Sequence, residues 1–324
     1  MSSTPDSSSV DRRAFLKGLA VGGAALATAC TSSRVGASAG ASPSMASPPL
    51  SAWRDKIGLQ LFTVRDLTRT DYAGTLMKVG SIGYREVQTT GSYGEHTPQQ
   101  IRSYLDRAGL VAPTTHVNPA QGAEFERALE GYKLIGHRYT TVRLGPLSGA
   151  GRTPTQTYDA VKRTAQQLNE AGAITKRHGI KLIVHNHTEE FAPLDDRAGR
   201  PYDVLLAETD PSLVAMELDI GWAVAAGQNP LELFRAAPGR YEVWHVKDLT
   251  GLAALNALKT QAERQRAAKI VPLGEGEIDY RPIFAQASLA GMKHFYVEQD
   301  TAPTSGDSIA AAATSYRTLV KLLS

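Results

Sequence analysis

Short β-rich runs and helical patterns alternate along most of this chain, and that alternation restricts its fold more than any other feature. Apolar or β-branched runs occupy residues 57–62, 84–88, 110–117, 139–144, 180–187, 213–220, 241–247 and 294–299. Between them apolar residues fall at helical spacing, as in 153–179, which Gly179 closes. Thr97-Pro98 and Asn229-Pro230 read as N-caps followed by proline at the first helical position. Eight strand–helix units predict a parallel sheet closed into a (β/α)8 barrel, a TIM barrel of one domain. A doubly wound open sheet would carry a glycine-rich phosphate loop after its first strand, and "LFTVRDLT" contains no glycine. Residues 248–273 exceed a plain connection and read as a solvated insertion with added helix.

The 324 residues accommodate one barrel of about 250 residues plus a leader. Residues 1–30 are expected to be an export signal, 31–50 a flexible, disordered Ser/Ala/Gly/Pro linker, and 51–324 the barrel. Arg12-Arg13, Phe15-Leu16-Lys17 and the weakly apolar stretch to Ala29 resemble a twin-arginine signal. The resemblance implies a periplasmic or cell-surface protein. Cys30 stands where a lipoprotein signal places its acylated cysteine, but Ala27 replaces the usual leucine, so membrane anchoring by lipidation stays open. As the sole cysteine, Cys30 excludes an intrachain disulfide framework and a thiolate metal cluster. A net charge of +3 without a basic, aromatic-laced patch argues against nucleic acid as a partner.

In a barrel, alternate residues of each strand face inward, and chemistry collects at the strands' C-terminal ends. In "IVHNHTEEF" that parity sends His185 and His187 one way and Asn186 the other. The inward set at the mouth then includes Gln60, Phe62, Glu86, Gln88, His116, Arg143, Glu217, Asp219, His245, Lys247 and Glu298, with Asp300 beyond. So many ionisable groups need neutralising. A divalent cation held by imidazoles and carboxylates would do it, and nitrogen and oxygen ligands suit Mn²⁺, Mg²⁺, Co²⁺ or Zn²⁺ equally. A mouth closed by salt bridges from Lys247 and Arg143 is the alternative.

The ordered set "IGLQLFTVRD", "IGYREVQTTGSYG", "THV", "VHNHTEEF", "ELDIGWAVAAGQNP", "HVKD", "PLGEGEID" and "YVEQD" resembles the xylose isomerase-like barrel superfamily, in particular its sugar phosphate isomerase/epimerase members. The resemblance implies one divalent metal held by Asp219, His245 and Glu298. Where the superfamily has a strand-five glutamate this chain has His185, with His187 or Glu190 as other options. It also implies a metal-dependent isomerase or epimerase working through an enediolate on a sugar, non-phosphorylated given the export signal. His185 or His187 would be the base, Glu298 a ligand and acid, and Lys247 a steering cation. Gln60, Phe62, Glu86, His116, Arg143 and Trp222 would bind substrate. The alternative is a lyase or dehydratase acting on a keto-sugar, keto-glycoside or inositol derivative, and a non-catalytic sugar-binding barrel is a third reading.

Overall fold

The computed structural model describes residues 48–90, 93–116, 123–141 and 156–324. The segment expected to be an export signal, Cys30 and Arg143 lie outside them. Ten strands occur among the described residues: β1 (Ile57–Gln60), β2 (Glu86–Thr90), β3 (Val111–His116), β4 (Tyr139–Thr141), β5 (Lys181–His185), β6 (Val214–Asp219), β7 (Val243–Val246), β8 (Asp248–Thr250), β9 (Lys269–Val271) and β10 (His294–Val297). Eight of them close a parallel barrel in the order β1-β10-β7-β6-β5-β4-β3-β2, while β8 and β9 pair as an antiparallel ribbon outside it. The expected (β/α)8 barrel is therefore the fold.

Parity along the strands builds two cores. Ile57 and Leu59 of β1, Met216 and Leu218 of β6, and Trp244 and Val246 of β7 face the surrounding helices and are buried. Inside the barrel, Ile183, Ala215, Val243 and Tyr296 form an apolar plug. Gly58 belongs to this plug by necessity, since a Cβ there would lie 2.5 Å from the Tyr296 ring. The chemistry is confined to the layer above.

The predicted caps also form. Thr97 makes a capping box with Gln100 at the start of helix Pro98–Ala108, and Asn229 caps Pro230–Ala236. Helix Tyr158–Arg177 accounts for the long pattern before Gly179. Two expectations change. β1 stops at Gln60 because its side chain accepts the Phe62 N–H and turns the chain into a 3₁₀ segment, so Phe62 leaves strand parity. The region after β7 is not a solvated insertion. Leu249, Leu255 and Ile270 pack around Trp222, and two short helices, Leu252–Asn256 and Gln261–Ala267, join β8 to β9. Thr188 donates to the Gln261 carbonyl, which fastens the second helix to the loop after β5.

Candidate active site

At the C-terminal ends of β6, β7 and β10 the inward side chains are polar and almost wholly buried: Glu217, Asp219, His245, Lys247 and Glu298. The register puts His185 beside Glu217 and Asp219 beside His245. Asn186 points away from its two histidines, as alternation requires. It accepts the Asp219 N–H at 3.0 Å and donates to the Asp219 carbonyl, clamping the end of β5 onto the end of β6.

Two groups of potential metal ligands share His245. Asp219, His245 and Glu298 form one; His116, His185, Glu217 and His245 form the other, and within each group the ligand atoms lie within 4.8 Å of one another. Hydrogen bonding separates their roles. Gln88 Oε1 accepts from Gln60 Nε2 and lies 2.6 Å from His245 Nε2, so Nε2 carries a proton and donates. Glu217 accepts from Gln88 Nε2, contacts His116 Nε2, and lies 3.2 Å from His185 Nδ1 and 3.3 Å from His245 Nε2. Four nitrogens therefore face its oxygens, although His185 Nδ1 makes no aligned hydrogen bond among the described residues. Around Asp219 the accounting is incomplete: Asp219 Oδ2 and His245 Nδ1 are buried without an aligned hydrogen bond among the described residues. Glu298 Oε2 stands 2.8 Å from that same Nδ1.

Two carboxylates and one imidazole nitrogen, with the other imidazole nitrogen fixed as a donor, suit a divalent cation. The residues that fit one are Asp219, His245 and Glu298. His185, expected as the fourth ligand, lies in the second ligand-capable group, with His116, Glu217 and the shared His245. Glu190 does not reach in, because it accepts the His187 N–H at 2.8 Å. Burial, with Glu189 nearby, pushes its carboxyl up to about 7.

Lys247 is fully buried, with Nζ 3.0 Å from Asp219, 3.1 Å from Glu298 and 2.5 Å from Asp300. Burial alone would lower its pKa; these three carboxylates raise it, so it stays an ammonium. In the same way burial opposes charge on His245, but Glu217 and Glu298 push it well above the ordinary imidazole range. Asp219 and Glu298 are held down by Lys247 and His245 against their own burial. Burial lowers His187 to about 4, with His185 adding to the effect, and burial lowers His185 as well.

The remaining expected residues divide between the two ends of the barrel. Gln60 and His116 belong to the buried network, His116 stacking on His245 at 5.2 Å. Trp222 lines the same space, its ring 4.9 Å from Lys247 Nζ and 6.1 Å from the His187 ring. Gly221 permits this, because a Cβ there would lie 2.7 Å from Lys247 Cβ. Phe62 is 38% exposed under the Arg65 guanidinium, which donates to the Asp300 carbonyl, so it stands at the rim. Glu86 does not come to the mouth. As the first residue of β2 it sits at the opposite end, 2.7 Å from His294 Nδ1. The acidic loop after β9 is structural: Asp248 accepts N–H groups of Gly274, Gly276 and Ile278, and Glu277 accepts that of Gly251. Glu217 is the participant that motif reasoning passed over as a site residue, although parity already placed it facing inward.

Residues 77–320 match the sequence profile of the xylose isomerase-like TIM barrel. The chain belongs to that family. Among curated proteins it resembles the inosose dehydratase of Clostridium tetani, 28% identical over 156 residues, or 46% of this chain and 51% of that protein. The chain thus spans about half the length of the curated relatives it matches. Similar solved folds include a sugar phosphate isomerase/epimerase from Parabacteroides distasonis, with TM-score 0.65 and 21% identity over 83% of this chain and 96% of that one. A probable 3-DHS dehydratase from Bacillus anthracis superposes with TM-score 0.58 and 13% identity over 82% and 98%. The IOLI protein with a bound zinc atom gives 0.58 and 15% over 83% and 98%. The expectation of an isomerase is corrected by the curated relatives, which are dehydratases, that is, lyases.

Proposed function

We propose that this barrel is a divalent-metal-dependent dehydratase acting on a polyhydroxy ketone, a ring-shaped keto-polyol or keto-sugar carrying a hydroxyl β to its carbonyl. The observation that carries the reading is the buried Lys247 ammonium held 3.0–3.1 Å from two of the three metal-capable side chains. It places a fixed proton-rich group beside a carbonyl-polarising site, which is what expelling a hydroxyl requires. The dehydratase names of the curated relatives agree with it.

Asp219, His245 and Glu298 would hold the ion, which when bound supplies Lewis-acid polarisation of the substrate carbonyl. His185 serves as base. Burial keeps it neutral and Glu217 stands 3.2 Å behind Nδ1, leaving Nε2 to take the α-proton. The C–H electron pair becomes the new carbon–carbon double bond, and the β carbon–oxygen bond breaks. Asp300, whose carboxyl burial raises and which touches Lys247, delivers the proton that turns the departing hydroxide into water. Lys247 orients that oxygen, and Trp222 and His187 wall off solvent.

The test is direct. The full chain, loaded with Mn²⁺, Co²⁺ or Zn²⁺, is incubated with an inosose and with keto-glucosides in D₂O. Loss of one water from the substrate, with ultraviolet absorbance of the unsaturated product and dependence on Lys247 and His185, is expected. Deuterium exchange or rearrangement with no loss of water would overturn the reading.

A further inference from the structure

The end of the barrel away from the mouth holds a second feature. A cavity of about 500 Å³ opens there, within the size range of small-ligand sites. Cations converge on it from separate segments: Lys56 immediately before β1, Arg138 before β4, Lys181 opening β5, Lys293 before β10, and Lys176 in the last turn of helix Tyr158–Arg177. His294 lines it as well. Because β1 and β10 lie across the barrel from β4 and β5, these side chains ring the barrel axis rather than line one edge.

The local carboxylates cancel only part of this charge. Glu242 is taken up by Lys181 at 2.5 Å and by the Tyr139 hydroxyl at 2.8 Å, and Glu86 by His294. Among the described residues, no carboxylate lies within 4.0 Å of Lys56, Arg138 or Lys293. Lys176 has a local reason to be there, since it faces the C-terminal end of its own helix, where a cation is favourable. Lys56 likewise closes the helical turn Leu50–Lys56 and stands 5.4 Å from the Trp53 ring, so the cations without a local reason are Arg138 and Lys293. Like charges gathered within about a Debye length of one another raise the energy of the bare fold, and a bound anion removes that repulsion.

We propose that this cavity is a binding site for a small, multiply charged anion of the phosphate-ester or polyphosphate class, separate from the mouth. The cations stand around a concave, solvent-open space of ligand size rather than along an elongated basic stripe, which favours a small molecule over a polymer. The strand ends that carry the metal-capable cluster point the other way, so the site does not depend on the reading of the mouth.

The experiment is calorimetric titration of the full chain with inorganic tripolyphosphate at 0.15 M salt. Arg138→Gln/Lys293→Gln is compared with Lys78→Gln/Lys321→Gln, which removes the same charge from the outer helices. Heat from metal capture at the mouth is common to all three proteins and cancels. One saturable site per chain, weakened at least tenfold in the first double variant and unchanged in the second, is expected. Equal weakening in both variants would reduce the effect to diffuse charge and overturn the proposal. So would an undiminished affinity in Arg138→Gln/Lys293→Gln, or no saturable binding by the parent chain.

Discussion

Replacing Glu217 by glutamine tests the electrostatic logic of the mouth with almost no change of shape. The groups around its carboxylate are all N–H donors: Gln88 Nε2, His116 Nε2, His185 Nδ1 and His245 Nε2. An amide turns one of the two acceptor oxygens into a further donor, so donor faces donor on one side. If that side is His245, its Nε2–H loses an acceptor and the tautomer with Nδ1–H gains ground. Nδ1 is the nitrogen turned towards Asp219 and Glu298, and a proton there blocks a metal bond.

Loss of such an orienting partner typically weakens metal binding by about 10–100-fold, or about 1.4–2.8 kcal/mol. The loss of a charge-assisted hydrogen bond, about 1.5–3 kcal/mol, gives the same range independently. Competition of the variant with a chromogenic chelator for Zn²⁺ or Co²⁺ measures the shift, and near-ultraviolet dichroism confirms the fold. Glu217→Asp, which keeps the charge, is expected to lose less. If Glu217→Gln keeps its affinity within twofold while remaining folded, Gln88 alone orients His245 and the reasoning fails.

Other perturbations separate the two ends of the barrel and its packing. Glu86→Gln is expected to cost about 1–3 kcal/mol in urea unfolding, through the buried His294 and Tyr296 contacts, and to leave metal affinity unchanged. Gly221→Ala should push Lys247 off Asp219 and cost about 1–3 kcal/mol by overpacking, seen as a lowered melting temperature. Two buried groups oppose each other in pH dependence. His137, lowered to about 4 chiefly by burial, contributes stability that is present above pH 6.5 and lost as pH falls towards 4. Glu190, raised to about 7, favours the fold when protonated, so its contribution is lost as pH rises from 4.5 to 7. Each is worth about 3 kcal/mol, so their slopes nearly cancel in the parent chain. In urea unfolding, His137→Asn should therefore lower the slope of stability against pH across that window relative to the parent, and Glu190→Gln should raise it.

The fold was legible because the barrel needs only period-two runs separated by helices, and the caps at Thr97 and Asn229 are local chemistry that survives in the structure. Strand ends were less legible. Nothing in the apolar pattern of "IGLQLF" announces that the Gln60 side chain will accept the Phe62 N–H and end the strand. Parity named the inward residues of the mouth but carries no height along the barrel axis, so Glu86 was grouped with residues at the far end. The ribbon of β8 and β9 escaped because its strands have three residues each and find their apolar partner, Trp222, only in three dimensions. The position of the ligand candidate at β5 was less legible. The resemblance puts His185 at a ligand position, and its closeness to Glu217, at 3.2 Å, is visible only in distances.

Charge balance carries the argument about metal one step further. Glu217, Asp219 and Glu298 are ionised, Asp300 is pushed towards its neutral form by burial, and Lys247 and His245 are cationic. Even with Asp300 left out of the count, three negative charges face two positive ones, a costly excess inside a barrel. A divalent ion bound through His245 Nδ1 must displace the proton there, and Lys247 together with the ion then balances the three carboxylates. Binding should therefore release about one proton per chain near neutral pH, and apparent affinity should rise about tenfold per pH unit while His245 remains protonated in the free chain. Titration with Zn²⁺ in buffers of different ionisation enthalpy counts that proton directly. Release close to zero would mean that His245 is already neutral, or is not a ligand, and that Lys247 rather than an ion is the counter-charge of this mouth.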